Sequence, residues 1–330
     1  MWPAAKLKRF RANLLAWFGK QQRDLPWRRT KDPYAIWISE IMLQQTRVAA
    51  AIPYFDRFMA RFPNYAALAA ASEDDVLRYW AGLGYYYRAR NLQKAAQLIC
   101  DQGAFPREHE AILSLPGVGD YTAAAVGSIA FNLPHADVDG NVVRVVSRLF
   151  ASNEGRKQVV EAAGKLLDRE RPGDFNQAMM ELGATVCLPK NPHCLLCPVA
   201  KMCRARELGA QQEFPEQKVK TKNKEIHRSL FWIEKRGKVL AWQRPPEARL
   251  MPGFWELPEQ EHLPHAVPAR ELGAFRHGIT VHNYRIKVWR APAPAKFGNC
   301  QWLEIRQLTQ LPLSTIFKKA LRVLGQSVGD

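Results

Sequence analysis

Two acidic residues, Glu40 and Asp139, have neighbours that would adapt a carboxyl group to catalysis. Glu40 lies within residues 36–46, which are strongly apolar on both sides of it. Such neighbours desolvate a carboxylate, raise its pKa and suit it to donate a proton near neutral pH, whereas a solvated helix face would leave it an ordinary surface residue. Asp139 directly precedes the run GNVVRVV, where it would cap a helix and be stabilised as an anion by backbone N–H groups.

A glycine hairpin precedes Asp139 in the sequence. Residues 115–123 read LPGVGDYTA, and a small apolar run follows them. Glycine reaches positive φ at little cost, so the two glycines predict a tight turn, and the apolar run predicts a helix behind it. The turn's N–H groups would then lie at a helix N-terminus, which attracts phosphate. An ordinary Pro-Gly turn is the alternative.

Four of the six cysteines form one compact loop with the spacing C-x6-C-x2-C-x5-C, namely Cys187, Cys194, Cys197 and Cys203. In a reducing compartment such a cluster favours metal binding over disulfides. Four thiolates suit either an iron–sulfur cluster or zinc and do not choose between them.

The elements that would position these residues are helical over the first two thirds of the chain. Apolar residues recur with a period near 3.6 in segments joined by short connections, which predicts an all-α part. Residues 204–228 are polar, charged and aperiodic, as in an interdomain linker. Beyond them, residues 230–233 and 239–242 predict a β-hairpin, residues 284–289 a strand, and Ser314 the start of a last helix. The predicted fold class is therefore multidomain, all-α followed by α+β.

Composition points to a polyanionic partner. The 330 residues include 48 Lys and Arg against 31 Asp and Glu, a net charge of +17, and 47% hydrophobic residues. A basic globular chain of this kind most simply binds nucleic acid, although charge for solubility alone is the alternative. No segment approaches the roughly 20 apolar residues of a membrane span. We therefore expect an intracellular protein that binds DNA and no membrane.

In combination and in this order, these motifs resemble the adenine DNA glycosylases of the MutY type, in the helix-hairpin-helix base-excision superfamily. The resemblance covers nearly the whole chain, and the motifs that carry it are LPWR at 25–28, SEIMLQQT at 39–46, GLGYY at 82–86, LPGVG at 115–119, DGNV at 139–142 and the cysteine loop. The family's cysteine spacing implies a [4Fe–4S] cluster rather than zinc.

The resemblance also implies roles for individual residues. Glu40 would protonate the adenine leaving group and later handle the attacking water, and Asp139 would stabilise the oxocarbenium-like sugar, which parallels glycoside hydrolysis. Tyr121 and Asn141 would support the sugar and Asp139. Gln45 and Tyr86 would wedge into the base stack beside the flipped adenine. The remaining residues implied in substrate or DNA binding are Trp27, Arg28, Gln44, Leu115, Gly117, Val118 and Gly119.

Tyr121 stands where related bifunctional glycosylases have a Schiff-base lysine, so we expect base removal without efficient strand cleavage. The C-terminal part resembles the family's MutT-like module through MPGFWELP at 251–258, but no Arg-Glu-x-x-Glu-Glu metal box follows. The family's lesion-reading loop, Phe-Ser-His or Phe-Thr-His, is altered here to ITVH at 279–282. Thr280 keeps the hydroxyl, and His282 comes one residue late.

The resemblance implies an iron–sulfur domain of residues 1–22 and 131–206, a helical barrel domain of residues 23–130, a linker of residues 207–228 and a MutT-like domain of residues 229–330. The implied substrate is duplex DNA with adenine opposite 8-oxoguanine or guanine, and we expect a monomer in the bacterial cytoplasm, at the nucleoid. Two alternatives stay open. One is a related glycosylase for thymine mismatches or oxidised pyrimidines, and the other is an iron–sulfur DNA-binding protein without catalysis.

Overall fold

The computed structural model describes residues 2–216, 224–245, 247–248, 251–279 and 282–326, except the side chain of Ile279. The chain divides into two compact units, one of residues 1–70 and 91–218 and the other of residues 71–90 and 219–330. Residues 71–90 thus group with the C-terminal strands. The finer boundaries between the iron–sulfur domain, the barrel domain and the linker stay predictions.

The first two thirds of the chain are helical, as predicted. In chain order the helices are α1 (Ala4–Gln21), α2 (Pro33–Leu43), α3 (Val48–Arg61), α4 (Tyr65–Ala70), α5 (Glu73–Trp80), α6 (Tyr87–Gln102), α7 (His109–Leu113), α8 (Asp120–Phe131), α9 (Gly140–Phe150), α10 (Arg156–Leu166), α11 (Pro172–Thr185) and α12 (Arg204–Glu207). Helix α5 and the first residues of α6 belong to the second unit, and the others belong to the first. None of the helices in the described part of the chain is both long and apolar enough to span a bilayer.

Local signals fix where the key helices begin. Asp32 caps α2 by accepting a hydrogen bond from the Tyr34 N–H, and Pro33 occupies the first helical turn, where its missing N–H costs nothing. Asp139 caps α9 in the same way. Helices α1, α9, α10 and α11 bury one continuous apolar core that includes Phe10, Val145 and Phe175. This core holds the end of α9 that carries Asp139.

The second unit is α+β, as predicted. Its strands are β1 (Lys224–Trp232), β2 (Glu234–Lys235), β3 (Lys238–Gln243), β4 (Trp255–Glu256), β5 (Arg270–Ile279), β6 (His282–Arg290) and β7 (Cys300–Glu304), and α13 (Thr315–Val323) follows them. One sheet has the order β1-β6-β5, with β1 parallel and β5 antiparallel to β6. In the other, β3 pairs with β2, β4 and β7. Ser314 caps α13, as the sequence indicated.

The hairpin predicted from residues 230–233 and 239–242 is shorter than expected. Its turn is present, with Arg236 and Gly237 at positive φ, but the ladder joins only Glu234 with Val239 and Lys235 with Lys238. The preceding strand β1 instead pairs with β6 along its whole length. Residues Leu230, Phe231 and Trp232 are all buried, so that strand end needs cover on both faces, which a two-stranded hairpin does not give.

Candidate active site

Glu40 lies in the middle of α2, whose residues 34–42 are all buried. Its side chain is 4% exposed. Burial raises the pKa of Glu40 to about 7, with the nearby Asp139 acting in the same direction, while a hydrogen bond from Tyr121 and the charge of Arg28 act against it. A carboxyl group with such a pKa carries a proton at and below neutral pH. The predicted desolvation of Glu40 is thus present in the fold.

Asp139 has the opposite kind of surroundings. As the N-cap of α9 it accepts a hydrogen bond from the Val142 N–H at 2.7 Å and another from Asn141 Nδ2, also at 2.7 Å. These two donors fix the orientation of the Asp139 side chain at the N-terminus of α9. Asn141 lies close to α11, because a Cβ on Gly183 would come within 2.5 Å of the Asn141 Cβ. The close approach of α11 therefore requires glycine there.

The two carboxyl groups line one cavity of about 160 Å³ in the first unit. The same cavity is lined by four further residues that the sequence singled out, namely Trp27, Arg28, Tyr121 and Asn141. Tyr121, in the first turn of α8, donates a hydrogen bond to Glu40 Oε2 at 2.5 Å. Burial raises the pKa of Tyr121 well above its usual range, so it stays a donor. An acid, a carboxylate and their supports thus meet in one concave site.

Sequence reasoning missed Glu181, which lies in the wall of this cavity. Its carboxylate is fully buried and accepts hydrogen bonds from Arg23 Nε and Nη2 at 2.8 and 2.7 Å and from Arg28 Nη2 at 2.9 Å. Burial alone would raise the pKa of Glu181, but these arginines lower it to about 2. A fixed anion and two guanidinium groups therefore line the cavity. The MMELGA segment carried no signal beyond an amphipathic helix.

A second missed group is Asp137, two residues before Asp139. It is 1% exposed, and neither carboxyl oxygen has a hydrogen-bond partner among the described residues. Burial, followed by the charges of Glu40 and Asp139, raises the pKa of Asp137 well above its usual range, although Arg156 opposes them. Asp137 is therefore a buried carboxyl group near Glu40 and Asp139 whose surroundings favour its protonated form. Its position in the DVDG sequence was visible, but its burial was not.

The glycine hairpin forms between α7 and α8. Gly117 has a φ of +77°, and a Cβ there would meet Asn91 Cβ at 2.7 Å, so glycine is required. The Val118 N–H closes the turn on the Leu115 carbonyl at 3.1 Å, and Gly119 is the N-cap of α8. Leu115 is buried, whereas Gly117 and Gly119 are exposed, as a backbone that contacts phosphate must be.

The glutamines after α2 differ from each other. Gln44 Nε2 donates to Thr122 Oγ1 at 3.3 Å and so ties the end of α2 to α8. Gln45 is exposed and has a φ of +59°, which is unusual for a residue other than glycine. This backbone directs its side chain to solvent, where a wedge residue would have to be.

In the second unit, Tyr86 is buried and its ring centroid lies 4.1 Å from that of Phe254. Its neighbour Tyr85 is 44% exposed. The tyrosine of this motif that is presented to solvent is thus Tyr85, one residue before the predicted wedge.

Of the predicted lesion-reading pair, Thr280 lies outside the described residues. His282 begins β6, pairs with Ile279 of β5, and its ring lies 6.1 Å from that of Tyr284.

The four clustered cysteines line a common small cavity of about 30 Å³ in the first unit. Burial raises the pKa of the Cys197 thiol to about 12. Within the described residues, no group of three His, Cys, Asp or Glu side chains is arranged to hold a metal ion.

Two arginines of α9 hold the cysteine loop. Arg144 donates to the carbonyl of Cys187 and to Asn141 Oδ1, at 2.7 and 2.8 Å. Arg148 donates to Cys187 Sγ at 3.3 Å and to the carbonyls of Leu188 and Pro189. The residue that orients Asp139 is thereby tied to the loop through one guanidinium group. Neither arginine was predicted.

Comparison with known proteins shows which family this chain resembles. Residues 38–169, which include Glu40, Tyr121 and Asp139, match the family model of the HhH-GPD superfamily base excision DNA repair proteins. The mouse adenine DNA glycosylase is 34% identical over 97% of this chain and 78% of its own length. The enzyme of the same name from Buchnera aphidicola subsp. Acyrthosiphon pisum is 38% identical over 70% of this chain and 71% of its own length.

Among solved structures, a thermostable thymine-DNA glycosylase superposes with a TM-score of 0.58 at 33% identity, covering 62% of this chain and 98% of that one. The match thus covers less of this chain than the mouse enzyme does. Because the mouse enzyme matches over nearly the whole length, C-terminal strands included, the chain belongs to the adenine DNA glycosylase family of base excision DNA repair proteins.

Proposed function

We propose that this chain is a monofunctional DNA glycosylase that hydrolyses the N-glycosidic bond of adenine opposite 8-oxoguanine or guanine in duplex DNA. The observation that carries the proposal is that Glu40 and Asp139 share one cavity and differ in their surroundings. Burial raises the pKa of the Glu40 carboxyl group to about 7, whereas the Asp139 side chain accepts hydrogen bonds from Asn141 Nδ2 and the Val142 N–H. A proton donor facing an anion is the arrangement that glycoside hydrolysis requires.

The reaction follows from these two groups. Glu40 gives its proton to a ring nitrogen of the flipped adenine, the bond from C1′ to N9 breaks, and the base leaves with the bonding electron pair. Positive charge then develops on the sugar, where the Asp139 carboxylate stabilises it. A water molecule attacks C1′ and returns its proton to Glu40, so the acid is regenerated. Asn141 and the Val142 N–H hold Asp139 in place throughout.

The residues of the cavity wall are chemically complementary to a purine with an exocyclic amine. Arg28 and the Glu181 carboxylate lie together there, and Trp27 adds an aromatic wall. Adenine presents both acceptor ring nitrogens and an N6 amino donor, so it complements a guanidinium group and a carboxylate. Glu181 forms ion pairs with both Arg23 and Arg28. These ion pairs fix the side chains of Glu181 and Arg28 and limit their freedom to adapt to another base.

Strand cleavage is not part of the proposal. Tyr121 stands in α8 where the related bifunctional enzymes carry a lysine, and its hydroxyl is bonded to Glu40. A phenol does not form a Schiff base with the sugar. Borohydride should therefore trap no covalent adduct at the levels that lysine enzymes show.

We further propose that the four clustered cysteines hold a [4Fe–4S] cluster. Support comes from the four sulfurs that surround a cavity and from Arg148, which donates to Cys187 Sγ and accepts from Cys203 Sγ through its carbonyl. When bound, such a cluster would fix the loop 187–203 by four thiolate bonds. Purified protein should show the iron and sulfide content and the visible absorption of a [4Fe–4S] centre, and serine in place of Cys197 should lower both.

DNA binding is supported by the net charge of +17 and by the exposed glycines of the hairpin. Of the two tyrosines in the GLGYY motif, we propose Tyr85 as the aromatic ring that stacks into the opened duplex, because Tyr85 is 44% exposed whereas Tyr86 is buried. Gln45 keeps its predicted wedge role.

A mispair panel tests the function. Labelled duplexes with A opposite 8-oxoguanine, A opposite G, and T opposite G are incubated with the protein, and alkali then reveals abasic sites. We expect cleavage after alkali with both adenine mispairs and little before it. Release of thymine instead would favour the pyrimidine enzymes that share this fold, and binding without base release would show a non-catalytic protein. The ratio of the two adenine rates measures the preference for 8-oxoguanine over guanine.

A further inference from the structure

The turn that presents Tyr85 is rigid. Trp80 Nε1 donates to the Gly84 carbonyl at 3.0 Å, and Arg88 Nη2 donates to the carbonyls of Leu83 and Gly84, each at 3.1 Å. The Arg88 guanidinium also lies over the ring of Tyr85, 5.5 Å from its centroid. Residues 81–86 are thus held as one piece, with Tyr85 on its outer side.

The inner side of this turn rests on the C-terminal part of the same unit. Tyr86 and Phe254 are 4% and 0% exposed, and their ring centroids are 4.1 Å apart at an interplanar angle of 46°. Arg90 donates to the carbonyl of Pro252 and, through Nε, to Glu73 Oε1 at 2.7 Å. We name these two contacts, Tyr86 with Phe254 and Arg90 with Pro252, the tyrosine clasp.

The C-terminal side of the clasp is equally fixed. Residues 251–254 form a turn in which Met251 and Gly253 have positive φ. The Gly253 N–H donates to the Arg244 carbonyl, and the Arg244 N–H donates to the Phe254 carbonyl, each at 2.9 Å. The turn is therefore bonded to the chain just after β3. A displacement at this sheet end would be transmitted to residues 81–86 through two stiff contacts.

We propose that Phe254 and Arg90 are positioning residues for Tyr85, so that the C-terminal module sets where this ring stands when the duplex is opened. Tyr85 and Tyr86 are adjacent in a rigid turn, so a shift of the buried ring moves the exposed one. This positioning role rests on the proposed function, since it assigns the C-terminal module a part in base extrusion. We expect variants of the tyrosine clasp to lower kcat and to leave KM nearly unchanged.

The test compares Phe254→Leu with Phe317→Leu, because Phe317 is equally buried in the same unit but lies in α13 and packs into the core beneath that helix. With A opposite 8-oxoguanine, we expect kcat of Phe254→Leu to fall about three- to tenfold, the range that the loss of one aromatic pair gives. Phe317→Leu, if folded to a similar Tm, should stay within about twofold. Arg90→Gln is an independent second variant, with the same expected direction, should Phe254→Leu fail to fold.

A double-mutant cycle decides whether the effect passes through Tyr85. On a Tyr85→Ala background, Phe254→Leu should cause no further loss. With 2-aminopurine in place of the target adenine, its fluorescence on binding should rise less in Phe254→Leu than in the wild type, and this readout does not depend on base release. If Phe254→Leu lowered kcat equally on both backgrounds, or no more than Phe317→Leu does, the positioning role of Phe254 would be overturned. A wild type that releases no adenine would instead overturn the proposed function.

Discussion

Helix α2 and the N-terminus of α9 each carry a carboxyl group, and the surroundings of the two groups are opposite in kind. In α2 the side chain of Glu40 is surrounded by buried residues and has one hydrogen-bond donor, Tyr121. At α9 the side chain of Asp139 receives one backbone and one side-chain donor. The rise in the pKa of Glu40 from 4.5 to about 7 corresponds to roughly 3 kcal/mol between its two protonation states. Burial thus raises the pKa of Glu40, whereas the cap position at α9 supplies Asp139 with two hydrogen-bond donors.

Removing the charge at α9 should have the largest effect. Asp139→Asn keeps an oxygen that can accept from the Val142 N–H, so α9 should still be capped. Without the negative charge, base release should slow about 10³-fold or more, while DNA affinity stays within a few fold. Single-turnover release and a binding titration measure the two. A fully active variant would defeat the mechanism.

Removing the proton at α2 should have the next largest effect. The wild-type rate should fall as pH rises through about 7, because Glu40 must be protonated to donate and its pKa lies there. Glu40→Gln cannot donate, so we expect release to slow about 10²- to 10³-fold and the decline around neutral pH to disappear. Single-turnover rates from pH 5 to 9 test both. A variant that kept the same alkaline decline would assign that titration to another group.

A smaller loss is expected when Asp139 keeps its charge but loses one donor. Asn141→Ala removes the Nδ2 bond to Asp139 and the link to Arg144, and we expect release to slow about tenfold. Asn13→Ala, at an exposed asparagine that donates only to the Pro198 carbonyl at 3.4 Å, is the matched control and should be unaffected. If both variants behaved alike, the orientation of Asp139 would not matter.

The smallest kinetic effect is expected at Asp137, the carboxyl group without hydrogen-bond partners in the described structure. Because its folded pKa lies well above 3.8, folding is favoured by its proton at low pH, and that stabilisation is lost as pH rises from 3.8 toward the folded pKa. Asp137→Asn resembles the neutral form, so its activity near pH 6 should change little. Its Tm should gain on that of the wild type as pH increases from 5 to 8. A constant Tm difference would show that Asp137 does not titrate in this range.

Local signals were predictable from the sequence because they depend on neighbours along the chain. The caps at Asp139 and Ser314, the turn at Gly117 and the apolar run around Glu40 are all of this kind. The predicted length of the first hairpin was wrong, because strand β1 pairs with β6, which is distant along the chain. The sequence could not predict that Tyr85 is exposed and Tyr86 buried, because two adjacent aromatic residues carry the same local signal.

The sequence by itself determined that the first two thirds of the chain are helical, that Asp139 and Ser314 cap helices, and that two carboxyl groups lie in contrasting local contexts. Only the tertiary structure decided that these groups share a cavity with Glu181 and Arg28 and that Arg144 joins Asn141 to the cysteine loop. It also decided that Asp137 is buried with no hydrogen-bond partner among the described residues. The physical reason is that desolvation and charge coupling depend on distances between residues far apart in the chain, and packing alone sets those distances.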